Sequence, residues 1–336
     1  MTRQIENHFG LYHHLFNGKD FIPFVKLLTA NKLTHSVSVH QIQNTYPLEF
    51  MEHLGITDQP SERTLYRTME RIGENLLVIL ERYQMFIKEH NLVDKKQLID
   101  FSSTYFEGTH MGLAKYGFSS DKRPDKMQIR FGIATGISGI PSALTIQKGN
   151  VQDKKHLKKI LKLLAKILPR DSLLIFDTGA NTKKNREKIR KLYFHFLALK
   201  PKNVDAYKKN IRFFFEQIKA GNVVCITFNE NPYFCVKKQE NDGSFSYIFF
   251  SQELYETQIH GKKKLFIRQT EKGNKQLRKR KHIIFPSDQG WVELVPSLQK
   301  TLLDIKNPYI NGLEGFFILE SSVDEQPEKI LYLYKQ

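Results

Sequence analysis

The chain has 336 residues, 40% of them hydrophobic, which is enough for a sizeable core in two or three structural units. Lys and Arg total 52 against 35 Asp and Glu, and the resulting net charge of +17 favours polyanionic partners. No stretch approaches the roughly 18 to 20 apolar residues of a membrane span, and the opening MTRQIENHFG lacks the apolar core of a signal peptide, so no membrane partner and a cytoplasmic location are expected.

Residues 1–95 read as helical. GKDFIPFVKLLTANKL carries apolar residues at helical spacing, and SERTLYRTMERIGENLLVILERYQMFIKEHNL continues the pattern with a break expected at Gly73. Within this part, SVHQIQNTYPLEFMEHLG, a turn at Asp58 and Pro60, and a helix that Ser61 can cap make a weak helix-turn-helix signal. Arg63, Thr64, Tyr66 and Arg67 then fall at the start of the second helix, where a recognition helix meets a DNA groove; an ordinary helical hairpin is the alternative.

From about residue 96 the period changes. KQLIDFSS, MQIRFGIATG and IPSALTIQKG read as three strands of a meander. DKKHLKKILKLLAKIL is an amphipathic helix with Asp153 as its expected N-cap, SLLIFDTGA a buried strand, NTKKNREKIRKLY a basic helix and FHFLALKP a fifth strand. The order is β-β-β-α-β-α-β, an α/β class. Residues 205–304 read as a largely β insertion, with a hairpin about Asp242-Gly243 and short strands at HIIFP and GWVELV. Cys225 and Cys235 have neither zinc-site nor disulfide spacing and are expected in the core.

Two apolar strands, LIDFSS and LLIFDTGA, end on a carboxylate, Asp100 and Asp177. On neighbouring strands the two acids would share one rim, where repulsion is relieved by protonation or by a cation; hard oxygen ligands suit Mg²⁺ or Mn²⁺. Capping of a turn is the alternative for each Asp alone. Lys262, Lys263, Lys264, Arg268, Lys272, Lys275, Arg278, Lys279, Arg280 and Lys281 form a basic run suited to phosphate contacts, and Trp291 to stacking on an unpaired base.

LIDFSSTYFEG, then YGFSSDKRPDKMQIRFGIATGISGIPSALTIQKGNVQDKKHL, then LLIFDTGANTKKN together resemble the DDE transposases of prokaryotic insertion sequences, in the insertion-sequence-four-like group with a β insertion. The resemblance covers residues 96–204 closely and 305–336 loosely. It implies a ribonuclease-H-like mixed sheet behind a helical DNA-binding domain, and Mg²⁺- or Mn²⁺-dependent cutting and joining of double-stranded DNA at element ends. A nucleoid-associated homodimer is the implied working form. Asp100 matches the first catalytic acid and Asp177 the second; Arg123, in the DKRPD stretch, is a candidate phosphate contact.

Two departures matter. DTG replaces the family's Asp-Arg-Gly, so Thr178 stands where a basic residue is usual. In INGLEGFFILESSVDEQPEKILYLYKQ the strand and first helical turns match, but the third acid would fall past Gln336. The resemblance therefore implies a C-terminally truncated, inactive transposase, with an exposed apolar strip beside GFFILE and a frayed segment from about Asp324. A truncated DNA-binding regulator without catalysis is the alternative function; Glu314, Glu320 and Glu328 are the candidate substitutes for the missing acid.

Overall fold

In the computed structural model, which describes residues 9–18, 20–108, 111–117, 123, 125–271 and 309–335, helices of the N-terminal part lead into a nine-stranded mixed sheet packed by helices on both faces. The N-terminal helices are α1 (Leu11–Leu15), α2 (Ile22–Leu33), α3 (Ile42–Thr45), α4 (Leu48–His53), α5 (Glu62–Glu74) and α6 (Leu76–Glu89). Leu27, Ile42, Tyr46, Met51, Ile56 and Leu65 bring α2 to α5 around one small core. Ser61 caps α5 as expected, its Oγ accepting from Thr64 N at 3.2 Å. The break falls at Asn75 rather than Gly73, because the Asn75 side chain donates to Arg71 O at 2.8 Å and closes α5 there.

The sheet is built from β1 (Lys96–Phe106), β2 (Met127–Gly136), β3 (Pro141–Lys148), β4 (Leu173–Phe176), β5 (His195–Leu199), β6 (Val224–Phe228), β7 (Asn231–Gln239), β8 (Phe245–Ser251) and β9 (Phe316–Ser321). Their spatial order is β3-β2-β1-β4-β5-β9-β8-β7-β6, with β1, β4 and β5 mutually parallel and every other pairing antiparallel. Helix α7 (Asp153–Leu164) joins β3 to β4 and α8 (Lys183–Lys191) joins β4 to β5, the crossovers that parallel strands require. Ile99, Leu174, Phe176, Phe196 and Ala198 of the strands pack with Leu157, Ile160, Leu164 and Ile189 of these helices.

His156, on the inner face of α7, is fully buried, and its Nε2 lies 2.7 Å from Thr145 Oγ1. Nδ1 has no partner, so a second proton would be buried unpaired; burial first, and Arg130 and Lys159 next, push this imidazole down to about 4. The folded state thus binds the proton less readily than the unfolded chain. Stability is complete above about pH 6.5 and is expected to fall as pH drops from there towards 4, by up to roughly 3 kcal/mol. Chemical denaturation of wild type and His156→Gln across this range checks it, since the variant should lose most of the slope.

The insertion differs from the β-rich expectation. The hairpin about Asp242-Gly243 forms as β7 and β8, but helices α9 (Val204–Lys219) and α10 (Gln252–Glu271) flank the strands. Tyr207, Ile211, Phe214 and Phe215 recur at helical spacing and pack on Val236, Ile248, Phe316 and Ile318, and this burial outweighs the strand preference of the aromatic run. Strands β6 to β8 also continue the main sheet, through β9, instead of forming a sheet of their own. HIIFP and GWVELV lie outside the described residues. Of the two cysteines, Cys235 is buried as expected, while Cys225, on the edge strand β6, is exposed.

The expected apolar strip and frayed C-terminus are not found. All of β9 is buried, and helix α11 (Pro327–Lys335) lays Ile330, Leu331 and Leu333 over Ile175, Leu197, Phe249, Phe317 and Leu319. The nine residues of α11 cover that face because Pro327, Ile330, Leu331 and Leu333 are all buried on its inner side.

Candidate functional site

The parallel register of β1 on β4 pairs Ile99 with Phe176, so the next residues, Asp100 and Asp177, emerge side by side where that ladder ends. Strand β4 stops there, but β1 does not end on its acid as expected: it runs on to Phe106, held by its antiparallel pairing with β2. Leu98 and Ile175 belong to the core under α11, and strand alternation puts Asp100 on that same face. Both acids are exposed. Asp100 Oδ1 accepts from Phe101 N at 2.8 Å, and Asp177 Oδ1 accepts from Thr178 N at 2.6 Å and from the Tyr334 hydroxyl of α11 at 3.5 Å. Burial first, and then Asp177, push the Tyr334 hydroxyl well above its ordinary range, so it is a neutral donor at this rim. No described residue donates to Oδ2 of either aspartate.

A third carboxylate stands close by. Asp153 is the first residue of α7, with Gln152 and not Asp153 at the N-cap, because its side chain turns instead to the nearly buried Arg130 of β2. Burial raises the Asp153 carboxyl above its ordinary value; Arg130 opposes this, and Asp100 and Asp177 add to it. The three acids therefore share one field. Gly179 lies against the same group: a Cβ there would run into the Asp153 carboxylate and its stem. The pair Arg130–Asp153 thus sits directly under the tight turn Thr178–Ala180 that follows Asp177. Sequence spacing does not reveal it, since Arg130 and Asp153 are 23 positions apart.

The candidate substitute acids are occupied. Glu314 is buried, with its carboxylate taken by Lys262 and by Asn311 N at 3.1 Å and Gly312 N at 2.8 Å. Glu320 of β9 binds Arg186 Nη1 and Asn181 Nδ2, both at 2.8 Å, through Oε2, and Lys200 Nζ at 3.1 Å through Oε1. Glu328 is exposed in the first turn of α11. Among the described residues, no group of three or more His, Cys, Asp or Glu is placed to hold a metal ion. The exposed pair Asp100 and Asp177, hard oxygen donors each with one oxygen uncommitted, fits a share in Mg²⁺ or Mn²⁺ binding, completed by other oxygens.

Of the sequence-derived DNA contacts, Arg63, Tyr66 and Arg67 lie on the outer face of α5, Tyr66 54% exposed, while Thr64 is half-buried and serves the Ser61 cap. Arg123 makes a bidentate pair with Asp125 at 3.0 and 2.9 Å and stands over the Tyr105 ring. Lys262 is drawn to Glu314, whereas Lys263 and Lys264 are exposed on α10. Arg278, Lys279, Arg280, Lys281 and Trp291 lie outside the described residues.

No protein-family model matches the sequence, and no curated protein matches it. Among solved structures, the chain is similar to piggyBac transposase in its synaptic complex with hairpin DNA, at 10% identity and a TM-score of 0.44 over 95% of this chain and 57% of that one. It is also similar to Mos1 transposase in its paired-end complex with the left transposon end, at 10% identity and a TM-score of 0.23 over 57% of this chain and 70% of that one. The chain thus spans little more than half the length of the piggyBac protein it aligns with.

Proposed function

We propose that this chain is a DDE-type transposase subunit of an insertion sequence, with a ribonuclease-H-like core that acts on double-stranded DNA at the element's ends. The observation that carries the reading is the register that sets Asp100 beside Asp177 at the end of the parallel ladder between β1 and β4. Mg²⁺ or Mn²⁺ at this pair would activate the attacking oxygen and steady the leaving oxygen at phosphorus. The chain's own residues would orient that site: Thr178 N and Tyr334 fix Asp177, Phe101 N fixes Asp100, and Arg130 holds Asp153 under the turn. The exposed start of α5, with Arg63, Tyr66 and Arg67, would contact DNA from the N-terminal part, and a second copy of the chain would complete the working dimer.

A second reading is favoured by one observation: Glu314 and Glu320 are both neutralised by cations, so neither supplies a third ligand. A chain with two acids would bind element ends and regulate transposition without chemistry.

The experiment loads the site with Fe²⁺ in place of Mg²⁺ and adds ascorbate and peroxide to the chain bound to end-bearing DNA. Radicals formed at the metal should cut the bound DNA locally, and Asp100→Asn or Asp177→Asn should remove that cutting while leaving DNA bound. Unlocalised cutting that both variants retain would remove the metal site from the DNA path. Mn²⁺-dependent strand cleavage, tested alongside, decides between the enzyme and the regulator.

A further inference from the structure

Helices α7 and α8 pack side by side on one face of the sheet and present lysines at helical spacing on their outer sides. Lys154, Lys158 and Lys162 recur every four residues along α7, and Lys184, Lys188 and Lys191 follow at spacings of four and three on α8. The two stripes meet: Lys188 is held below its ordinary value by partial desolvation first, and then by Lys158, Lys184 and Lys162 around it. None of these six lysines forms an ion pair with a carboxylate among the described residues. The acids near the helices are used elsewhere: Asp153 faces Arg130, Glu320 takes Arg186 of α8 inward, and Asp242 in the β7–β8 turn pairs with Arg190 at 3.4 Å. Only Glu187 remains on α8 to oppose its outer lysines.

Like charges at helical spacing destabilise a helix pair in water, and among the described residues of the two helices only Glu187 is left to oppose them. A polyanion would offset them. We propose that the outer face of α7 and α8 is a binding surface for the phosphate backbone of duplex DNA, distinct from the start of α5 and from Lys263 and Lys264 of α10. With about 1.5 Å of rise per residue, Lys154 to Lys162 spans about 12 Å, which matches the axial length of three to four base pairs at about 3.4 Å each. The stripe starts one residue from Asp153, whose carboxyl feels the charges of Asp100 and Asp177, so its N-terminal end lies nearest those acids although α7 packs on the opposite face of the sheet from α11. The inference rests on the DNA-processing reading above.

The test measures binding of a fluorescent random-sequence duplex of about thirty base pairs between 50 and 300 mM salt. In the full chain, Lys158→Gln, Lys162→Gln, Lys184→Gln and Lys188→Gln combined should reduce the slope of log K against log salt by about 3 to 4 units, and Lys162→Gln alone by about 0.9. Replacing the same four lysines by Arg should preserve the slope and so excludes misfolding as the cause. The quadruple Gln variant should also melt higher than wild type at low salt, because repulsion is removed. A steep wild-type slope that the Gln variants leave unchanged overturns this surface alone; absence of salt-dependent duplex binding by wild type overturns the DNA reading with it.

Discussion

Replacing Asp100 and Asp177 together by Asn is expected to abolish stabilisation of the fold by Mn²⁺. A ligand present at about 100 times its Kd stabilises the state that binds it by roughly 2.7 kcal/mol, which in a chain of this size corresponds to about 4 °C in Tm. The two carboxylates are exposed at the end of one parallel register, so their removal leaves the core contacts of Ile99 and Phe176 untouched. Each single Asn variant should lose most of the shift, because a divalent ion held by one carboxylate and water gains little over solution. The same change has a second signature: with two neighbouring charges gone, the Asp153 carboxyl should relax downwards, towards its ordinary value, against the burial that remains. Thermal melts with and without Mn²⁺, and carbon-detected titration of Asp153, measure both. A double variant that Mn²⁺ stabilises as much as wild type would place the metal elsewhere.

The largest loss of stability is expected at Glu320. Its buried carboxylate is shared by Arg186, Lys200 and Asn181, so Glu320→Ala leaves two largely buried cations without an anion. Breaking a buried pair in this way costs about 3 to 5 kcal/mol, mostly the penalty of the uncompensated charges. Glu320→Gln keeps an acceptor for Asn181 but not the charge, and should recover only part of the loss. Combining Glu320→Met with Arg186→Met and Lys200→Met should recover more, since no charge is then stranded. Because both Glu320 oxygens are engaged by protein cations and amide, Glu320→Gln should leave the Mn²⁺ shift intact. Urea denaturation of this series, run with and without Mn²⁺, separates the two roles: a Gln variant that is nearly as stable as wild type but deaf to Mn²⁺ would make Glu320 a metal ligand.

Local pattern made much of the core legible. The apolar runs that end on Asp100 and Asp177 announced both strands and their acids, and the helical period of Leu157, Ile160, Leu161 and Leu164 announced α7. Helix α9 was concealed by chemistry that points two ways: Phe213, Phe214 and Phe215 favour strands locally, and only packing on β8 and β9 makes the helix the better burial. The rest of the site depends on partners distant in sequence. Glu320 meets Arg186 across 134 positions and Asn181 across 139, and Tyr334 meets Asp177 across 157, separations that no window of periodicity spans. Asp153 reads as a helix cap because its true partner, Arg130, sits on β2, 23 positions earlier.

Strand β9 lies between β5 and β8, hydrogen-bonded to both, yet it is supplied by residues 316–321. Synthesis therefore delivers both halves of the sheet long before the strand that joins them. Until then β5 and β8 each present an unpaired edge, and the Phe249, Leu197 and Tyr247 side chains wait for Phe317 and Leu319. Closing contacts of such long sequence separation is entropically slow, so the nascent chain should pass through a stage in which two partial sheets are held apart and aggregation-prone. A strand that arrives late and zips two edges at once makes completion of the fold an all-or-none event, timed by translation of residues 316–321.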